Sequence, residues 1–219
     1  MFGVKFGKYH SYEDFSLLLI KGGVQISTPD AKIEEVEVLG ADGTHDLTEY
    51  FGEVKYHNRT LTFTFETTKR HQEFYDLVVE IANKLHGRKL NIVYEREPNF
   101  YYVGRAKVNE YKSIEKIGRL VIECTCEPYK LEYYETYNQN TLKGQEQTIN
   151  LVNLKKSVTP TIIVEGADEN GINVVYENQS ITLSNGTWII DEFVLKEGYN
   201  YFTIKGNGKI TFVYRRGKL

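Results

Sequence analysis

Only one long stretch of this chain repeats its apolar residues at helical spacing. Across residues 69–85, Phe74, Leu77, Val78, Ile81 and Leu85 fall on one stripe, and Glu73, Asp76, Glu80 and Lys84 occupy the opposite face. Thr67 or Thr68 is placed to cap the start. Gly87 is placed to close the end, where Lys84, His86 and Arg88 suit the negative pole of the helix. Elsewhere the apolar residues alternate or gather in short runs, the pattern of strands. In "RTLTFTF", Leu61, Phe63 and Phe65 share one face and Thr60, Thr62 and Thr64 the other. The expectation is a mainly β chain with one helix laid on a sheet. Seventeen tyrosines and eleven phenylalanines beside four prolines agree with that.

Further strands are predicted at "FSLLLI", ending at Gly22 and Gly23, at "KIEEVEVLG", ending at the turn "GADG", and at "KLNIVYE", "FYYVGRAKV" and "RLVIECTCE". Ser11 followed by Asp14 resembles a capping box for a short helical turn. After Pro128 the texture changes. "YYETYNQNTLKGQEQ" is polar without an apolar period and reads as a linker or a loose first strand. Short strands then recur to the end, with Asn185-Gly186 and Asn207-Gly208 as hairpin signals. The latter would bring Phe202 and Ile204 against Ile210 and Phe212. This half is expected to be a β-sandwich of the jelly-roll kind, which divides the chain into domains 1–134 and 135–219.

The chemistry-bearing residues form no catalytic constellation. Cys124 and Cys126 alternate with Glu123, Thr125 and Glu127, so both thiols lie on the apolar face of a strand with Leu120 and Ile122. A zinc site would need two more ligands, and no His or Cys follows Cys126. A disulfide between them would be strained. The histidines His10, His45, His57, His71 and His86 match no ligand spacing, and no phosphate loop, dinucleotide fingerprint or nucleophile elbow is present. The chain is therefore read as no enzyme, with no cofactor and no metal. "GADENG" lacks the full calcium-loop spacing and reads as a turn. A net charge of −3 argues against nucleic-acid recognition. No run reaches the roughly 20 apolar residues of a membrane-spanning helix, and the start has no signal-peptide stretch, so synthesis in the cytoplasm is expected.

Two surfaces stand out. The acidic strand face of Glu34, Glu35 and Glu37 and the turn Arg96, Glu97, Pro98 and Asn99 are candidate interface contacts, with other copies of the chain or with a neighbouring structural protein. Trp188, Tyr176, Tyr199 and Tyr201, with Tyr214 nearby, are candidates for stacking on sugar rings, against the plainer reading as core or interface aromatics.

One resemblance runs through "YHSYEDFSLLL", "GADGTHDLTEYFGEVKYHNRTLTFTF", "ANKLHGRKLNIVYE", "YYVGRAKV" and "CEPYK". In order and spacing these resemble the distal tail proteins of long-tailed, non-contractile phages and prophages of Gram-positive bacteria, over about residues 2–130. The ending "FVLKEGYNYFTIKGNGKITFVYRRGKL" is similar to the close of that family's second domain, whereas 131–160 matches no family motif. The resemblance implies a split β-barrel with one flanking helix, akin to tail-tube proteins, followed by a galectin-like sandwich. It implies a structural baseplate protein of the virion tail tip, used in host adsorption. Six copies form a ring that meets the tail tube protein on one side and a tail-associated lysin or spike on the other. Its rim docks receptor-binding proteins. The alternative is a carbohydrate-binding protein that reads cell-wall polysaccharide.

Overall fold

A computed structural model of the chain describes residues 3–50, 52–114 and 117–219 and divides it into two compact units, 1–130 with 219 and 131–218. Phe51, inside one of the quoted stretches, lies outside the described residues. The architecture is mainly β.

The first unit contains β1 (Val4–Phe6), β2 (Tyr9–His10), β3 (Leu18–Ile26), β4 (Glu35–Glu37), β5 (Thr44–Asp46), β6 (Arg59–Thr67), α1 (His71–Leu85), β7 (Lys89–Tyr94), β8 (Phe100–Ile114) and β9 (Ile117–Cys126). Its main sheet is antiparallel in the order β2-β1-β7-β8-β9-β6-β3 and curls into a half-barrel. The alternation of β6 becomes a two-sided strand: Leu61, Phe63 and Phe65 are buried, and the threonines between them are more open. Phe6 meets both Phe63 and Phe65 edge-on.

The helix packs its apolar stripe against the sheet. Phe74, Leu77, Val78, Ile81 and Leu85 are all buried in the barrel core. Phe74 lies so close over Gly118 that a Cβ there would fall 2.2 Å from its ring. The helix begins at His71 after Arg70, with no side-chain cap; Thr67 instead accepts a long bond from the Lys69 N–H, one turn too early to serve. Gly87 ends it at φ 75°, and its N–H donates to Ala106 O on β8. Arg88 donates to Asn83 O near the helix end.

Two further expectations are corrected. The turn after β2 is capped by His10 rather than Ser11. His10 Nδ1 accepts from the Tyr12 and Glu13 N–H groups, and Asp14 Oδ2 accepts from the His10 N–H at 2.6 Å. Ser11 Oγ accepts from the Val4 N–H. The glycines Gly22 and Gly23 do not end β3. They lie in a bulge between Leu19 and Val24, where Gly22 takes φ 74° and pairing with β6 resumes beyond it.

After β10 (Lys130–Glu132), the second unit contains β11 (Thr136–Lys143), β12 (Gln147–Asn153), β13 (Thr161–Glu165), β14 (Ile172–Tyr176), β15 (Gln179–Leu183), β16 (Gly186–Ile189), β17 (Gly198–Tyr214) and β18 (Gly217–Lys218). The polar run read as a linker or loose strand is β11, paired with β17 along its whole length.

β17 organises this unit. Its first half lies between β12 and β14, and its second half lies between β11 and β13. With β15 beside β14 and β16 beside β13, this makes two four-stranded layers that share one strand. Leu151, Ile162, Val174, Phe202, Ile204, Ile210 and Phe212 from both layers form one core.

Asn207-Gly208 is therefore no hairpin turn. It is the corner where β17 passes from one layer to the other, with Gly206 at φ 149° and Gly208 at φ 119°. Nor does Asn185-Gly186 close a hairpin, since β15 and β16 lie in different layers. The Asn185 side chain instead bridges to both the N–H and the C=O of Ala167. The "GADENG" turn belongs to the same end of the sandwich. Asp168 accepts from the Asn170 N–H and from Asn207 Nδ2 at 2.7 Å.

Candidate functional site

The cysteines lie in the barrel core. Cys124 and Cys126 are fully buried, free and unpaired with each other. Burial pushes the Cys124 thiol far up and the Cys126 thiol up to about 12. At neutral pH both are protonated, which suits packing rather than nucleophilic or metal chemistry. Gly104 faces Cys126 across the ladder, and a side chain at Gly104 would collide with its sulfur. Among the described residues no three His, Cys, Asp or Glu side chains are placed to hold a metal.

The acidic candidates sit on a separate arm. Residues 31–57 leave the sheet and return through a ladder of their own. Ala31 bridges Tyr56, the Lys32 N–H donates to Lys55 O, and β4 pairs with β5 beyond that. Glu34, Glu35 and Glu37 are all exposed there. The arm carries seven carboxylates (Glu34, Glu35, Glu37, Asp42, Asp46, Glu49 and Glu53) against Lys32 and Lys55. Thr48 holds Asp46 below its ordinary value, through its hydroxyl and its N–H. Apolar residues are exposed with the charges: Ile33, Val36, Val38, Leu39 and Tyr50, with Leu39 fully open.

The turn candidates lie elsewhere, between β7 and β8. Arg96, Pro98 and Asn99 are exposed, but Glu97 is half-buried and ion-paired with Lys130 at 2.7 Å. That pair ties the turn to the segment leaving β9, so Glu97 serves the unit's own structure first.

Two features had no advance notice. Arg59 at the start of β6 is buried, and among the described residues no carboxylate pairs with it. Its Nε and Nη2 donate to Ser27 O at 2.9 and 2.6 Å, Nη1 donates to Pro128 O, and the guanidinium lies over Tyr102. Burial pushes the Tyr102 hydroxyl up to about 12, with the Arg59 charge acting in the opposite direction. The second is a groove of about 550 Å³ floored by residues 103–107 of β8, with His86, Lys89, Arg105 and Lys107 on its walls. Lys89 is paired there with Glu127, and Arg105 donates to Gly87 O. The basic doublets in "HGRK" and "GRAK" were visible, but only the fold places them side by side.

The aromatic candidates divide. Tyr176 is corrected: it is a core residue and offers no face to a sugar. Its ring stacks on Phe202 at 4.2 Å, its hydroxyl donates to Val194 O or Asn200 Oδ1, and burial pushes it up. Tyr214 is likewise buried and donates to Val152 O. Trp188 lies on the edge strand β16 and is about one-third exposed, with its indole N–H donating to Ser184 O. Tyr199 and Tyr201 are exposed and near-parallel, 6.5 Å apart, on the outer face of the other layer. Trp188 therefore does not share a surface with them.

A half-barrel with one helix, followed by a sandwich built around a shared strand, defines a two-unit, mainly β fold. That fold is also found in the SPP1 Dit (gp 19.1) protein, described as a paradigm of the hub adsorption apparatus in Gram-positive infecting phages. The two chains superpose with a TM-score of 0.71 at 14% identity, covering 98% of this chain and 99% of that one. No protein-family model and no curated protein sequence matches the chain.

Proposed function

We propose that this chain is a non-enzymatic structural hub of a phage tail tip. Six copies form a homohexameric ring, with residues 1–134 as the ring-forming domain and 135–219 as the projecting sandwich. One side of the ring meets the tail tube protein, the other a tail-associated lysin or spike, and its rim takes receptor-binding proteins. The observation that carries this reading is a fold shared with SPP1 Dit along nearly the whole of both chains. The agreement of the tail-protein sequence pattern with that fold adds to it. Analytical ultracentrifugation and negative-stain imaging of the purified chain test it: six-fold rings are expected, and monomers at every concentration, with or without a tail-tube partner, overturn it.

A second reading is favoured by one observation, the exposed tyrosine pair on the sandwich. Tyr199 and Tyr201, beside Asn150 and Val152 on the neighbouring strand, offer a flat aromatic face to a cell-wall polysaccharide. A glycan array with the whole chain, repeated with Tyr199→Ala/Tyr201→Ala, decides it. Binding lost in the variant supports a carbohydrate-reading role, and no binding by the parent removes it.

A further inference from the structure

The arm at residues 31–57 is unusual for a surface element. A lone two-stranded hairpin is marginal in water, and this one holds Ile33, Val36, Val38, Leu39 and Tyr50 in solvent. Its charge is almost all negative. The same chain carries a groove of opposite sign on the half-barrel, walled by His86, Lys89, Arg105 and Lys107. Each surface lacks what the other supplies.

We infer that the acidic, apolar arm of one copy docks in the basic groove of a second copy. The inference rests on the ring reading above and names the contact that would build the ring. Arm and groove are different patches, so the contact is head-to-tail, the kind that closes into a ring when the rotation per subunit divides a full turn. Segment 31–40, if extended, reaches on the order of 33 Å from its root. Charge complementarity selects the partner and speeds encounter, and burial of the apolar side chains supplies the affinity. Among the described residues Glu127 is the one carboxylate lining the groove, and it is paired with Lys89 at 2.7 Å.

The test mixes two full-length variants, Val36→Cys and Lys107→Cys, under mild oxidation. The native thiols stay silent because both are buried and protonated. A disulfide between the two variants is expected in large excess over links within either alone. It should fall about tenfold when the arm also carries Glu35→Lys/Glu37→Lys, and return when the groove chain carries Lys89→Glu. Sedimentation of the unaltered chain is run in parallel. Oligomers without the Val36–Lys107 link, or oligomers unaffected by charge reversal, overturn the docking while leaving the ring reading in place. Monomers alone overturn both.

Discussion

Phe202 and Phe212 belong to one strand, yet their rings meet at 5.1 Å across the core of the sandwich. They meet because the strand turns between them at Gly206 and Gly208. A Cβ on Gly208 would come within 2.8 Å of Gly166 O and Ala167 N, and φ 119° already disfavours any other residue. Gly208→Val should therefore cost on the order of 3 kcal/mol. Urea denaturation of the full chain followed by Trp188 fluorescence reads this out. A midpoint within error of the parent would show that the corner tolerates a side chain.

The contact between Phe74 and Gly118 makes a paired prediction. Gly118→Ala drives a methyl group into the ring and should lose about 1–3 kcal/mol. Phe74→Leu in the same chain should restore part of that loss, because the two changes share one space. Additive losses in a double-mutant cycle would mean that the helix shifts freely.

Ile81 is fully buried in the barrel core. Ile81→Asp places an unpaired carboxylate there, at a cost of several kcal/mol, and should leave no folded first unit. Circular dichroism of the purified variant measures it. Retention of a parent-like cooperative transition would contradict the packing.

Arg59 holds two carbonyls far apart in sequence, Ser27 O and Pro128 O. Arg59→Met keeps most of the apolar stem but leaves both oxygens without that donor, for a loss of about 2–3 kcal/mol. Arg59→Lys should lie between parent and Met, since a single ammonium cannot reproduce the fork. Equal stability of all three would show that the guanidinium is dispensable.

The buried acids set an alkaline limit. Cys126 rises from 9.0 to about 12 and Tyr102 from 10.0 to about 12, chiefly because burial disfavours their anions. A raised folded value means the stabilisation is complete below the unfolded value. It is lost as pH climbs toward the folded value, so stability should fall between about pH 9 and 12. Cys126→Ala should flatten part of that fall in urea midpoints taken across the range. An unchanged slope would place the effect elsewhere.

Elements with strong local periodicity were legible in the chain. The helix stripe from Phe74 to Leu85 and the alternation around Phe63 identify their buried faces without any tertiary knowledge. The inward face of the cysteines followed from period two alone. Illegible features depend on partners distant in sequence. Nothing near Tyr176 distinguishes it from Tyr199; only Phe202 and Asn200, brought alongside by pairing with β17, put it inside. Asn207-Gly208 carries the same dipeptide signal whether it folds a strand back or turns it into a second sheet. The choice is made by the four strands that flank β17. The groove is the same kind of miss, since β8 brings Arg105 and Lys107 up to Lys89 from the far side of a turn.

β17 also fixes a temporal order. Strands β11 to β16 emerge from the ribosome before the one segment that joins them, and neither layer has its central ladder until residues 198–214 arrive. Until then the edges of β11, β12, β13 and β14 that pair with β17 stay open. A translational pause just ahead of Gly198 would prolong that open-edged state.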